Sequence, residues 1–163
     1  MTTQLHDTEP PRSVPPPLPA SASMVQPARA AADEALADTM LDRLAAGDYE
    51  GAIMAAEALL EYRPRDRDAL DAAQIAKTEL RKVYVARLGS IERVPRIAMG
   101  PDAILALKSL DFRAGFLLSR VDGVASVYEI VEGASVPSLE ALRILSELFL
   151  RRVIAFDEAT LIG

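Results

Sequence analysis

Gly47-Asp48-Tyr49-Glu50-Gly51-Ala52-Ile53 decides how the folded part of this chain is read. It separates two runs of helical periodicity. Before it, Leu36, Met40 and Leu44 recur at helical spacing, with Ala37 and Leu41 beside them, in a pattern that begins at Asp33. Gly47 then ends the run, because glycine takes the left-handed conformation of a helix C-terminus without a Cβ penalty. After it, Ala52, Ile53, Ala56, Leu59 and Leu60 share one face of a second helix that starts near Tyr49. Arg63-Pro64 stops that helix, since proline disfavours the helical region for the residue before it. A third helix follows to Leu88-Gly89, with Leu70, Ala73, Ala76, Leu80 and Val83 as its expected apolar stripe.

The glycine turn, the aromatic Tyr49 two residues on, Ala52, then Ala58-Leu59-Leu60 and Pro64 sit at the spacing of a tetratricopeptide repeat, and residues 32–66 resemble one such repeat. The resemblance implies a helical hairpin whose exposed face the third helix caps, together occupying residues 31–89. Met40 departs from it, standing where the family places a small residue at the close crossing. One repeat is also fewer than the three or so a solenoid needs. A hairpin with a cap is therefore expected, not a superhelix.

Residues 1–30 hold seven of the eleven prolines, including Pro15-Pro16-Pro17-Leu18-Pro19. Proline lacks an N–H and fixes φ, so a disordered tail with local polyproline II character is expected here. It reads as a solubilising spacer or, as the alternative, as a docking peptide for a proline-binding groove.

Residues 90–163 form the other expected module. A linker, 90–102, contains a short extended candidate, Val94 to Met99, which Pro95 confines to an edge or a strand start. Asp111 can cap a helix through Val121, closed by Asp122-Gly123. Ser126-Val127-Tyr128-Glu129 has the form of a capping box opening a short helix to Gly133. A third helix follows Val136-Pro137-Ser138, with Leu142, Leu145, Leu148 and Phe149 inward, and Val153 to Phe156 reads as a strand. Phe112, Phe116, Tyr128, Phe149 and Phe156 are expected to fill this module's core.

Three short helices and a strand follow the order of a winged-helix or helix-turn-helix module. The phrase Gly115-Phe116-Leu117-Leu118-Ser119-Arg120-Val121-Asp122-Gly123, with Ser126–Ile130 and Leu139–Ile154 after it, resembles small domains of bacterial signalling proteins, those of myxobacteria above all. It covers residues 107–157 and carries no family-wide activity. The fold class expected is therefore mainly α: a disordered N-terminus, a tetratricopeptide-like hairpin with a cap helix, and a three-helix winged-helix-like domain with a minor β element.

Composition narrows the function. There is no Cys, and the single His is His6, which removes thiolate chemistry and His-based acid/base or metal sites from the folded part. Asp33-Glu34 and Asp157-Glu158 lie at expected element ends, where carboxylates serve helix dipoles or solvent. Ser119 and Ser126 lack a neighbouring base, and no glycine-rich phosphate loop occurs. An enzyme is not expected, and no catalytic residue, metal or cofactor is assigned. Net charge is −6, divided as 0 over residues 1–30, −4 over 31–94 and −2 over 95–163, so phosphate neutralisation is poorly served. No basic leader, apolar leader or membrane-length apolar run is seen, and the cytoplasm is the expected compartment. Arg outnumbers Lys fifteen to three, a bias associated with GC-rich bacterial genomes.

Two functions stay open. The first is a non-enzymatic protein–protein interaction adaptor or regulatory partner in a bacterial signalling or motility assembly, with homo-oligomerisation left open. The charged corner Arg63, Arg65 and Arg67, and then Arg143, Arg151 and Arg152, are its candidate partner-binding residues. The alternative is a DNA-binding regulator that uses 138–152 as a recognition helix. Among that helix's polar residues Ser138, Glu140, Arg143, Ser146 and Glu147, only Arg143 suits a base edge or phosphate, which disfavours nucleic acid.

Overall fold

Helical periodicity becomes helix along most of the chain. A computed structural model describes residues 21–107 and 110–157, with side chains from residue 27 onward. The proline run at 15–19, His6 and Glu158 lie outside the described residues. Seven helices and two short strands are found among the described ones: α1 (Ser21–Ala45), α2 (Tyr49–Tyr62), α3 (Arg67–Leu88), β1 (Pro95–Ile97), α4 (Pro101–Leu105), α5 (Phe112–Ser119), α6 (Val127–Glu132), α7 (Ser138–Leu150) and β2 (Ile154–Phe156). The chain divides into two units, residues 1–35 and 36–163.

In the first unit the described part is the opening half of α1. The proline-rich tail was expected to run to residue 30, yet residues 21–30 are helical, with Pro27 inside the helix. The reason is local. Pro27 removes one backbone donor, whereas Ala28, Ala30, Ala31, Ala32 and Ala35 are the best helix formers available.

The second unit contains two apolar cores. The first gathers Met40 from α1, Ala55, Ala56 and Leu59 from α2, and Ala69, Ala72 and Ala73 from α3. Its helices end before Gly47 and Pro64 as expected, and two aspartate caps open the next ones. Gly47 has φ +75°, and Asp48 caps α2 by accepting the Gly51 amide at 3.0 Å. Asp66 caps α3 by accepting the Ala69 amide at 3.1 Å. The stripe expected on α3 holds at Ala73, Ala76 and Leu80 and is corrected at its two ends. Leu70 is 47% exposed, Val83 is half-buried, and the inward residues are Ala69, Ala72, Ala73, Ala76, Leu80, Tyr84 and Leu88. Alanines at the contact let α2 and α3 approach closely, which a leucine there would prevent.

The second core draws Leu80, Tyr84 and Leu88 from the last turns of α3 together with α5, α6, α7 and β2. Its centre is aliphatic: Leu117, Val127, Ile130, Leu142, Leu145 and Ile154 are all within 1% of full burial. The expectation that aromatics fill it holds for Phe156, which is buried against Phe149 with ring centroids 5.2 Å apart. It fails for Phe112, 88% exposed, and for Tyr128, 47% exposed. Asp111 caps α5 through the Ala114 amide at 2.8 Å, although α5 ends at Ser119 and Val121 is buried beyond it. Ser126 and Glu129 form the reciprocal capping box on α6.

β1 and β2 pair antiparallel in the register Pro95↔Phe156, Arg96↔Ala155 and Ile97↔Ile154. Pro95 is therefore an edge residue, as its missing N–H requires. Arg93 ties this ribbon to α3: its Nη1 donates to the Leu88 carbonyl at 3.0 Å, and its guanidinium lies 4.3 Å from the Phe156 ring centroid. The short helix α4, with Pro101 at its first position, was not foreseen; five residues are too few for periodicity to register.

Candidate functional site

Three helical stripes converge on one groove. On α2 the stripe is Glu50, Ile53, Met54 and Glu57, spaced i, i+3, i+4 and i+7, the repeat of a single helix face. α3 contributes Leu80 and Tyr84, one turn apart. α7 contributes Leu139, Glu140, Arg143 and Glu147. The groove encloses about 500 Å³. Its apolar lining is Ile53, Met54, Leu80 and Leu139, and Met54 stands 70% exposed within it. Four carboxylates surround that lining, with Arg143 as the one cation of the lining residues.

Each carboxylate has a partner. Tyr84 Oη donates to Glu50 Oε1 at 2.7 Å, which links α3 to α2. Burial, then the hydrogen bond to Glu50 and the charge on that carboxylate, push the Tyr84 hydroxyl well above the usual tyrosine range. The phenol is thus held neutral and is a poor acid. Glu57 lies 3.6 Å from Lys77 Nζ. Arg143 Nη1 donates to Glu147 Oε1 at 2.7 Å, while its Nη2 is 4.0 Å from Glu140 Oε1. Arg113 of α5 also bonds Glu140. All these ion pairs are partly solvated, the regime in which a pair contributes about 0–1 kcal/mol and can exchange partners.

The six arginines singled out in the sequence do not converge. Arg143 alone lines the groove. Arg63, Arg65 and Arg67 are grouped and exposed at the α2–α3 turn, at the other end of α2 from Glu50, where Arg63 Nη1 lies 3.7 Å from Asp66 Oδ2. Arg151 and Arg152 follow the end of α7, and Arg152 has φ +58°. The polar row of α7 that the DNA-binding alternative would use is engaged within the protein. Ser146 is fully buried, its hydroxyl donating to the Arg143 carbonyl at 2.8 Å, and Glu140, Arg143 and Glu147 are engaged with one another or with Arg113.

The sequence reading missed Glu50, Met54, Glu57, Tyr84 and Leu139 as site residues. A signal was available in the α2 stripe, whose carboxylates flank apolar residues at helical spacing. Reading for cations passed over it. Among the described residues, no group of three or more His, Cys, Asp or Glu is arranged to hold a metal ion, and no helix is long and apolar enough to cross a membrane. No protein-family model, curated protein or solved structure matches the chain.

Proposed function

We propose that this chain is a non-enzymatic protein–protein interaction module, an adaptor or regulatory partner in a cytoplasmic bacterial signalling or motility assembly, which docks a partner in the groove between α2, α3 and α7. One observation carries the reading: Met54 is 70% exposed and lines, with Ile53, Leu80 and Leu139, a groove to which three helices contribute. A solvated methionine in a concave apolar setting is a common feature of adaptable binding surfaces. The tetratricopeptide-like spacing of residues 32–66 supports the same reading, and the resemblance of residues 107–157 supports a place in signalling. The DNA-binding alternative has less behind it, because the polar groups of α7 partner one another and Ser146 is buried.

The test compares the full chain with its Met54→Arg variant in crosslinked affinity purification from native lysate. Met54 is exposed, so the variant should keep its fold. Proteins captured by the wild type and lost with Met54→Arg are expected; identical capture by both would defeat the reading. Duplex DNA at about 50 mM salt, where phosphate contacts are strong, is the parallel arm and should remain unbound.

A further inference from the structure

The groove's charges specify what it would take. Glu50, Glu57, Glu140 and Glu147 stand around the apolar lining against a single cation, Arg143. Lys77 and Arg113 reach in from outside, to Glu57 and Glu140, and the sum is still negative. The lining comes entirely from helices and includes no residue of β1 or β2. An extended peptide would therefore find no strand edge to pair with, whereas a helix satisfies its own backbone and offers an apolar stripe.

We infer that the groove receives a cationic amphipathic helix of a partner protein, its apolar residues seated on Ile53, Met54 and Leu139 and its Lys or Arg residues on the surrounding glutamates, with Arg143 as a resident counter-ion that the ligand displaces. The inference rests on the docking function proposed above. Arg143 fits that role by position. Its guanidinium already sits where an incoming cation would, 2.7 Å from Glu147 Oε1 and 4.0 Å from Glu140 Oε1, and it is anchored only by partly exposed pairs. A ligand cation thus trades places with it at small cost.

The consequence separates two roles for Arg143. A residue that competes with the ligand strengthens binding when removed; a residue that contacts the ligand weakens it. The probes are two fluorescein-labelled peptides of about 15 residues, roughly four helical turns, one built of Leu and Lys at amphipathic helical spacing and the other of Leu and Glu. Their affinities for the full-length protein are read by fluorescence anisotropy.

The Lys peptide should bind more tightly than the Glu peptide. Arg143→Met should tighten it roughly 2- to 5-fold, and Glu57→Gln or Glu147→Gln should weaken it by a similar factor, the scale of one partly exposed ion pair. Glu92→Gln makes the same charge change at an exposed site outside the groove, and should leave the affinity unchanged. Equal or tighter binding of the Glu peptide, weaker binding by Arg143→Met, or a Glu92→Gln effect as large as that of Glu57→Gln each overturns the inference. Partner capture that still depends on Met54 would show that the docking reading survives such a failure. Capture indifferent to Met54→Arg would show that the reading itself has failed.

Discussion

The Tyr84 ring is buried while its hydroxyl reaches Glu50 Oε1 at 2.7 Å, so removing the oxygen alone separates packing from hydrogen bonding. Tyr84→Phe keeps the ring and should cost about 1 kcal/mol, the net contribution of one hydrogen bond, measured by urea denaturation. The pH dependence has a definite sign. The folded protein holds the Tyr84 proton more tightly than the unfolded chain does, so its contribution is complete below the unfolded value of about 10 and is lost as pH rises above it. The wild type should lose stability above about pH 10 more steeply than Tyr84→Phe. At the fully buried Met40, Met40→Ala should cost about 2–5 kcal/mol through the cavity it leaves. These two residues also mark how far single positions could be read. Met40 was legible because it recurs at helical spacing with Leu36 and Leu44. Tyr84 was not: the expected stripe holds at Ala73, Ala76 and Leu80, but at its ends Leu70 and Val83 stand where Ala69 and Tyr84 are the buried residues. Close approach of α2 and α3 selects the small side chain, and that is a property of the pair of helices which neither sequence segment displays alone.

Element ends were the most legible features, because capping is chemistry between residues three apart. Asp111 and Ser126 cap as expected, and Asp48 and Asp66, which were not read as caps, do the same. The corner from α5 to α6 is densely hydrogen-bonded. Asp122 accepts the Val124 and Ala125 amides at 2.8 and 2.9 Å, and Glu129 accepts both the amide and the hydroxyl of Ser126. Hydrogen bonds from the Ala125 and Val124 amides lower the Asp122 pKa, and those from Ser126 lower that of Glu129. Each carboxylate therefore stabilises the fold fully above its unfolded value of about 4 and loses that contribution as pH falls below it. Asp122→Asn and Glu129→Gln should each reduce stability at pH 7 and flatten the acid limb of a stability–pH curve. A limb of unchanged steepness would mean that neither carboxylate is preferentially ionised in the folded state. Side-chain direction was legible at Leu117 and Val121, which are buried as their spacing suggests, but not at the aromatics of the first turns. Phe112 and Tyr128 occupy the first turns opened by Asp111 and Ser126, and the faces that meet the core are Ala114, Leu117 and Leu118 on α5, and Val127, Ile130 and Val131 on α6. Where those rings turn depends on α7 across the core, and no local pattern encodes that.

Within residues 36–163, Tyr49 and Ile53 of α2 pack against the second core, and α3 is the helix with buried residues in both. Its Ala69, Ala72 and Ala73 pack in the first and its Leu80, Tyr84 and Leu88 in the second, so the end expected for the hairpin, at residue 89, falls after residues already committed to the neighbouring module. The sequence offered Gly89 as a boundary because glycine closes a helix, but closing a helix does not close a core. The sharing has an energetic consequence. If α3 cannot keep one half ordered while the other loses its packing, the two cores unfold together as one two-state system. Leu59→Ala in the first core and Leu145→Ala in the second should each destabilise by about 2–5 kcal/mol. By hydrogen exchange, each should reduce the most protected amides of both α2 and α7 by the same amount. Loss of protection confined to the mutated core would instead show that α3 frays in its middle and that the modules are energetically separate. The groove gives the result functional weight. Its walls are α2, whose Ala55, Ala56 and Leu59 lie in the first core while Tyr49 and Ile53 pack on the second, and α7, anchored in the second, with Leu80 and Tyr84 of α3 lining it as well. Coupled cores would keep those walls in fixed register before any partner arrives, and a preformed groove loses less affinity to ordering than one the ligand must assemble. Leu145→Ala lies outside the groove lining, so in the coupled case it should weaken peptide binding once temperature brings the variant near its midpoint, and leave binding unchanged well below it.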